Sequence, residues 1–249
     1  MTLLDHLFLL GAGMLAGVIN SVSSGGSFFT YPAMLATGLS PIQAATTTLA
    51  ALTPGNLAAV PEYWPEVRAE KHRYPELLVV VVTGALIGIV LLFTTGADAF
   101  ESLVPWLVLA ATLFFAVSPW VRAWAVEHAH ALTDGRLGLV LIFVMSIYLT
   151  YFGSGVGNLI LAMLTIRGFA DFLSANAGKN IIMTIGTTMA TVAYGFGGWV
   201  QWEPLLPVFI GSGIGAAFGG RIARGIPLRL LRAFVIGFGL FVATWLFVR

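Results

Sequence analysis

Two short apolar segments, residues 27–38 and 158–166, each follow a polar, glycine-rich stretch of the chain. We call these stretches the first break, Ser-Val-Ser-Ser-Gly-Gly at 21–26, and the second break, Gly-Ser-Gly-Val-Gly at 153–157. A helix that crosses a bilayer needs about 20 apolar residues, because each residue adds about 1.5 Å, so neither segment can span one. Paired interruptions at matching places in two halves of a chain are typical of discontinuous membrane helices around a transporter site.

The composition indicates an integral membrane protein. Of the 249 residues, 58% are hydrophobic and 9% are charged, and the mean hydropathy is +0.93, whereas soluble domains carry about 25% charged residues. The absence of cysteine excludes disulfides and thiolate metal sites. No Lys or Arg precedes the first apolar segment, so we expect that segment to be retained rather than cleaved as a signal peptide.

The apolar segments fall into two groups of five, on either side of the polar interval 122–136. We therefore predict one membrane domain with a first transmembrane repeat at 1–121, a cytoplasmic linker at 122–136 and a second transmembrane repeat at 137–249. Both groups have the same order of long and short segments. The segments are 6–22, 27–38, 41–60, 76–95, 101–121, 137–152, 158–166, 171–197, 203–222 and 227–248.

Local patterns in the two groups also correspond. Ser40-Pro41-Ile42-Gln43 has the capping-box pattern with proline at the first helical position, and Asp171 stands at the equivalent helix start. Identity between the groups is weak, so the order of segments carries the prediction of a repeat. A shift of 130 positions superposes Gly25 on Gly155, Gly38 on Gly168 and Ala45 on Ala175.

Lys and Arg concentrate in the intervals 61–75, 122–136 and 221–232, whereas the turns at 96–100 and 198–202 contain none. By the positive-inside rule, the three basic intervals are cytoplasmic. Tracing the chain outward from them places both termini outside.

By the same tracing, residues 6–38 and 137–166 each enter the membrane and return to the side from which they started. The two stretches start from opposite faces of the membrane. The sequence thus predicts an all-α polytopic membrane protein with two inverted repeats, each a broken or re-entrant helix hairpin plus three full transmembrane helices. The alternative is that 6–38 and 137–166 are single kinked helices in parallel repeats. That arrangement would place Arg167 on the outer face, against the charge rule.

The breaks are rich in neutral hydrogen-bond donors. The short helices that follow them begin at about Ser27 and Asn158, so their N-terminal N–H groups and positive dipole ends would meet at the membrane centre and bind an anion. An alternative is that the Gly and Ser residues serve close helix packing. The predicted substrate-binding residues are Asn20, Ser23, Ser24, Gly25, Gly26, Ser27, Tyr151, Ser154, Gly155, Gly157, Asn158, Lys179 and Asn180.

Lys179 is the one ionisable residue well inside a predicted span, eight residues beyond Asp171. A lysine at that depth is costly unless it faces a polar cavity or a counter-charge, so we predict that it supplies positive charge to the anion site. The alternative is that its long stem snorkels to the cytoplasmic interface.

The sequence gives little support to a proton relay, a metal site or an enzyme active site. Every Asp and Glu lies at a segment end or in a loop, so a carboxylate relay for protons is not visible within the membrane. The histidines are peripheral too, and the sequence therefore predicts neither a metal site nor a cofactor. Gly153-Ser154-Gly155 resembles a nucleophile turn, but no intramembrane base accompanies it. The histidines are His6, His72, His128 and His130.

Several stretches carry a recognisable pattern. In the first half they are Gly17 to Ser27, Tyr31 to Leu35 and Ser40 to Thr47; in the second they are Tyr151 to Asn158, Gly219 to Arg221 and Pro227 to Arg232. Together they resemble the sulfite exporter TauE/SafE family over essentially the whole chain. The resemblance implies a bacterial inner-membrane permease that exports sulfite, related small sulfur anions or organosulfonates. The family's glycine triplet is Ser-Gly-Gly here, and the second break ends in Asn158, which leaves open a substrate other than sulfite.

These patterns predict a secondary transporter, acting as an exporter, that binds a small anion such as sulfite or an organosulfonate between two broken-helix hairpins at the membrane midplane. A passive anion channel is an alternative, because it needs the same donors, and an intramembrane enzyme is a further one. The expected partners are the anion and the lipid bilayer, with no nucleic acid. A coupling proton and a homo-oligomer stay open.

Overall fold

The computed structural model describes residues 1–22, 24–128, 136–169, 171–223 and 228–248. Within these ranges the chain forms eleven α-helices, one 3-10 turn at Pro61–Tyr63 and no β-strand, which confirms the all-α prediction. The predicted site residue Ser23 and part of the predicted linker, 129–135, lie outside the described ranges. The helices are α1 (Leu3–Val22), α2 (Ser27–Ala36), α3 (Pro41–Ala59), α4 (Trp64–Ala69), α5 (Tyr74–Thr95), α6 (Ala97–His128), α7 (Arg136–Tyr151), α8 (Gly157–Ile166), α9 (Phe172–Phe196), α10 (Trp202–Ala223) and α11 (Leu228–Val248).

The fold is a multi-pass membrane bundle. Four stretches of the described residues are long and apolar enough to cross a bilayer: Leu3–Asn20, Tyr74–Thr95, Ala97–Trp124 and Arg229–Val248. Helices α3 and α9 have comparable lengths, 19 and 25 residues, but carry more polar side chains. Large apolar side chains cover the outside of the bundle, which suits contact with lipid rather than water.

The predicted starts of α3 and α9 are confirmed by their caps. Ser40 Oγ accepts the N–H of Gln43 at 3.4 Å, and Gln43 Oε1 accepts the N–H of Ser40 at 3.3 Å, which completes the capping box before Pro41. The carboxylate of Asp171 accepts the N–H of Ser174 at 2.7 Å. Both helices therefore begin where the sequence indicates.

The caps also correct the predicted correspondence of these two helices. They lie 131 residues apart rather than 130, so the predicted superposition of Ala45 on Ala175 is displaced by one residue. Thr48 becomes the counterpart of Lys179, because each stands eight residues after the cap of its helix.

Each break lets the short helix after it fold back along the long helix before it. A Cβ atom at Gly26 would lie 2.7 Å from the carbonyl oxygen of Ala16, and Phe29 of α2 shares a groove with Leu7 to Leu15 of α1. A Cβ atom at Gly138, near the start of α7, would lie 3.3 Å from the Cβ of Arg167, just past the end of α8. In each pair the short helix therefore lies against the long helix.

Packing between the halves is reciprocal. The first helix of the first half, α1, packs on α10, and the first helix of the second half, α7, packs on α5. Glycines bring the backbones of each pair together. The later of two glycines in one helix contacts the later of two residues in its partner, so the helices of each pair run parallel. The contacts join Gly13 to Val208, Gly17 to Ser212, Gly84 to Phe143 and Gly88 to Ile147.

Two other pairs of helices run antiparallel. In α3 and α9 the hydroxyl oxygens of Thr53 and Thr191 lie 3.0 Å apart, while Thr46 Oγ1 donates to the carbonyl of Trp199, just beyond the end of α9. In α6 and α11 the start of one helix meets the end of the other. The contacts there join Trp106 to Phe247, Thr112 to Gly239 and Phe115 to Arg232.

The bundle has two distinct ends. At the terminal end, the N-terminal ammonium group pairs with Glu203 at 3.1 Å, and Trp106 contacts Phe247 near the C-terminus. At the basic end, Arg73 pairs with Glu70 at 2.8 Å just before α5. Helix α6 extends to His128, so the first part of the predicted linker is helical.

Candidate functional site

Asn20 holds the first break in place. Its side-chain oxygen accepts hydrogen bonds from the backbone N–H groups of Gly25 and Gly26, at 3.1 and 2.7 Å. Backbone that leaves a helix inside a membrane needs such partners, because lipid offers none. Asn20 therefore shapes the break, and the amide groups of Gly25 and Gly26 are engaged by it.

The second break depends on glycine for two reasons. Gly153 and Gly155 have φ angles of +83° and +74°, which side chains with a Cβ rarely adopt. In addition, a Cβ atom at Gly155 would lie 2.6 Å from the carbonyl oxygen of Ala111 in α6. The break is thus pressed against the backbone of a helix from the other half.

The short helices start with uncapped N-termini. Helix α2 begins at Ser27 as predicted, and α8 begins at Gly157, one residue before the predicted start at Asn158. Neither Gly26 nor Val156, the residues at the two N-cap positions, provides a side-chain cap. A helix start of this kind carries positive partial charge and N–H donors, which favour an anion.

The two breaks meet at Gly157. A Cβ atom at this position would lie 2.5 Å from Oγ of Ser24 in the first break, and 3.9 Å from Cδ of Lys179 in α9. The missing side chain therefore lets three elements converge: the first break, the start of α8 and the stem of the deep lysine. The structure brings together predicted site residues that lie up to 155 positions apart in the chain, from Ser24 to Lys179.

Lys179 has no anionic partner in the part of the chain that the structure describes. None of the ion pairs there includes it. Its side chain is half-buried, and the adjacent Asn180 is buried with 6% of its surface exposed. A cation without a carboxylate nearby is suited to receive an anion from outside the protein.

A small cavity lies beside the two breaks. Its volume is about 10 Å³, and its walls include Ser27 at the start of α2, Ser154 of the second break and Tyr31, one turn further along α2. Apolar side chains complete the walls. They are Phe28, Pro32, Val108, Phe152 and Val242.

Two predicted site residues are less central: Tyr151 lies apart from this arrangement, and Asn158 lies at its edge. The hydroxyl of Tyr151 lies 3.1 Å from that of Thr95 at the end of α5, and its ring contacts Phe100, so it is directed toward the terminal end. Asn158 is half-buried in the first turn of α8.

Three buried hydroxyl groups are not among the predicted site residues. Those of Thr30, Tyr31 and Thr48 have no hydrogen-bond partner among the described residues, although all three residues are at most 4% exposed. A buried hydroxyl that lacks a partner costs about 1–3 kcal/mol, so such groups mark places where a ligand or water can bind. In the sequence, Thr30 and Tyr31 are marked by their spacing from the first break, about one turn along α2.

Comparison with known proteins identifies the family. Residues 9–246 match the sulfite exporter TauE/SafE family. The chain belongs to this family. The match spans both breaks and both halves, and it confirms the resemblance found in the motifs.

Curated relatives of this TauE/SafE chain are bacterial. A probable membrane transporter protein, ORF9, from Sinorhizobium sp. is 26% identical over 92% of this chain and 87% of its own length. A probable membrane transporter protein from Haemophilus influenzae is 26% identical over 92% of this chain and 89% of its own length. The Escherichia coli protein YfcA, also described as a probable membrane transporter, is 24% identical over 94% and 86%. No solved structure matches the chain.

Proposed function

We propose that the protein is a secondary transporter that exports a small anion, such as sulfite or an organosulfonate, across a bacterial inner membrane. The observation that carries the proposal is the convergence of Ser24, Gly157 and Lys179. This place combines a hydroxyl donor, the positive end of a helix and an ammonium group, which together fit a small oxyanion. The family name and the names of the relatives favour a transporter over an enzyme.

The substrate site lies between the hairpins α1–α2 and α7–α8. Ser24 and Lys179 approach the anion from the first break and from α9, and the uncapped start of α8 contributes backbone N–H groups. Asn20 keeps the first break in shape, and Gly155 lets the second break lie against α6. In this proposal Asn158, Asn180, Gly25 and Gly26 border the site.

The two halves form inverted repeats. In support, α3 and α9 are counterparts of each other, and they run antiparallel where they touch; the same holds for α6 and α11. Counterparts related by a two-fold axis along the membrane normal would run parallel, whereas an axis in the membrane plane makes them antiparallel. The reciprocal pairs α1–α10 and α5–α7 obey the same axis.

The basic end faces the cytoplasm and the terminal end faces the periplasm. This orientation follows from the positive-inside rule applied to the loops at the basic end, which carry Arg68, Lys71 and Arg73. Arg167, just after α8, pairs with Glu76 at the start of α5 and so belongs to the same end. The hairpin α7–α8 therefore enters and leaves on the cytoplasmic side, as a re-entrant element does.

A carrier mechanism is favoured over a channel because both approaches to the site are occupied. Toward the terminal end, the rings of Tyr31, Phe152 and Phe100 pack edge to face or tilted against one another. Toward the basic end, Arg73 and Arg167 join α8 to the start of α5. Transport then requires the hairpins to move against the other helices, so that one approach opens at a time.

A flux measurement tests the proposal. Purified protein is reconstituted in liposomes that are loaded inside with unlabelled sulfite or sulfoacetate. Uptake of the labelled anion from the outside is then followed. A carrier gives saturable uptake and counterflow, and Lys179→Met lowers its affinity. Unsaturable flux without counterflow would indicate a channel, and no flux of either anion would overturn the proposed function.

A further inference from the structure

Tyr31 has a hydroxyl group that the fold does not use. The residue is 2% exposed, and its hydroxyl has no hydrogen-bond partner among the described residues. Its ring is held edge to face against Phe152 at 5.4 Å. By contrast, Tyr194, which is fully buried, donates its hydroxyl to the carbonyl oxygen of Thr150 at 2.7 Å. Phenylalanine would satisfy the packing at position 31, so the hydroxyl calls for another role.

Tyr31 borders the small cavity between the two halves. The same cavity touches Ser27, the first residue of α2, and Ser154 in the second break. Both serines are buried, with 8% and 4% of their surfaces exposed. A cavity of about 10 Å³ is close to the minimum that holds one water-sized group, which is also the size of one oxygen atom of an oxyanion.

The cavity is the counterpart of the place where Ser24, Gly157 and Lys179 converge. Under the repeat shift of 130, Ser24 corresponds to Ser154 and Gly157 corresponds to Ser27. Ser24 of the first half contacts Gly157 of the second half. Their counterparts, Ser154 of the second half and Ser27 of the first, line the same cavity. The cavity therefore repeats this contact with the two halves exchanged.

The two positions differ in charge. Lys179 accompanies the first, whereas its counterpart Thr48 is neutral, with a buried hydroxyl that lacks a partner among the described residues. An anion that lies across both positions would meet the ammonium group of Lys179 on one side, and the side chains of Ser27, Tyr31 and Ser154 at the cavity on the other.

We propose that this cavity is a second, uncharged subsite of the anion site, where the hydroxyl groups of Tyr31, Ser27 and Ser154 hold one oxygen of a singly charged oxyanion. The inference rests on the proposed function and adds to it a substrate class. An organosulfonate or hydrogen sulfite fits one ammonium group and one neutral subsite. A doubly charged anion would leave a charge without a counter-ion in a region of low dielectric, which is unfavourable.

The test compares Tyr31→Phe with Tyr194→Phe, since each change removes only a buried hydroxyl. Uptake into liposomes is measured with methanesulfonate, a singly charged sulfonate, and with sulfite, and thermal unfolding is followed for each variant. We expect Tyr31→Phe to raise the KM about tenfold or more, as expected for a lost hydrogen bond to a charged group, while the Tm is unchanged or higher. Tyr194→Phe should lower the Tm and leave the KM unchanged.

A double substitution sharpens the test. Ser154→Ala should raise the KM by a similar factor, and Tyr31→Phe combined with Ser154→Ala should add little, because both side chains bind the same oxygen. An unchanged KM in Tyr31→Phe, or fully additive effects, would overturn the second subsite while the wild type still transports. Failure of the wild type to move either anion would instead overturn the proposed function.

Discussion

The side chain of Ser24 packs against the Cα position of Gly157, the first residue of α8, close enough that a Cβ atom at Gly157 would lie 2.5 Å from the serine Oγ. This contact joins the two breaks, one from each half of the chain. It also fixes the start of α8 relative to the stem of Lys179, 3.9 Å from the same point. The most direct perturbations of the candidate site therefore act at this glycine.

Gly157→Ala should displace Ser24 and impair transport at least about tenfold, because real Cβ contacts do not occur at such distances. The transport rate of the purified variant measures the loss of function, and its Tm measures the destabilisation caused by displacing Ser24. Gly213→Ala in α10 is the matched control, since no atom lies within 4 Å of its Cβ position. Adding Ser24→Gly to Gly157→Ala should restore the Tm but not the transport. Wild-type transport by Gly157→Ala would remove this contact from the site.

Gly155→Ala should destabilise the protein more than Gly25→Ala. Gly155 combines a φ of +74° with a backbone carbonyl 2.6 Å from its Cβ position, and strain of this kind costs about 1–3 kcal/mol before the clash is counted. At Gly25 the nearest atoms are side-chain atoms at 3.2–3.4 Å, which can adjust. Thermal unfolding in detergent measures the difference, and equal Tm values would contradict it.

The local features of this fold could be predicted from the sequence. Ser40 and Asp171 cap their helices as expected, because capping depends on residues three positions apart. The break before Ser27 and the break before Gly157 were visible as glycine and serine within apolar sequence. These signals need only a few neighbouring residues, and a single sequence contains them.

Contacts across the two halves could not be predicted in the same way. Nothing local in the sequence marks Gly157 as the place where Ser24 and Lys179 converge, because the three residues lie on separate elements. Tyr31 looks like an ordinary aromatic residue of an apolar helix, and only its missing hydrogen bond distinguishes it. The pairing of Arg73 with the end of α8 depends on the hairpin of the second half.

The proposed topology predicts that both termini are periplasmic. The chain has no cysteine, so single cysteines can be introduced without background labelling. Thr2→Cys and Val248→Cys should react with a membrane-impermeant maleimide in intact spheroplasts, whereas Lys71→Cys should react only after the membrane is opened. Labelling of Lys71→Cys together with the termini in intact spheroplasts would reject the inverted arrangement of the halves.

Lys179→Met should weaken binding of a singly charged oxyanion by about 1–3 kcal/mol, the range for a charge-assisted hydrogen bond. Lys179→Arg should restore binding only in part, because the planar guanidinium differs from the ammonium group in shape and reach. Substrate affinity and uptake driven by a pH gradient are measured for both variants. Binding restored by arginine without pH-driven accumulation would assign a proton-carrying role to the lysine. Wild-type values in both variants would mean that the lysine only snorkels to the cytoplasmic surface.

At the basic end, Arg73 connects the two halves. It donates to the carboxylate of Glu70 at 2.8 Å and to the carbonyl oxygen of Arg167 at 2.9 Å, and its guanidinium lies 5.6 Å from the ring centre of Phe169. Glu70 is buried, with 7% of its surface exposed. Because these contacts hold the end of α8 against the start of α5, they should stabilise the closed state that we propose for the approach at the basic end.

Glu70→Gln should therefore lower the free energy of unfolding by roughly 2 kcal/mol, the order of a hydrogen bond between charged groups, because it leaves the partly buried Arg73 without its carboxylate. Hydrogen exchange at residues 163–169 should also accelerate, since the end of α8 loses its anchor. Glu203→Gln is the control: it removes an exposed ion pair with the N-terminus, 59% of the glutamate side chain being accessible, and such pairs contribute about 0–1 kcal/mol. If exchange near Arg167 is equally slow in both variants, the ion pair does not hold the end of α8. The closure proposed at the basic end would then rest on the packing of α8 against α6 and α9 alone.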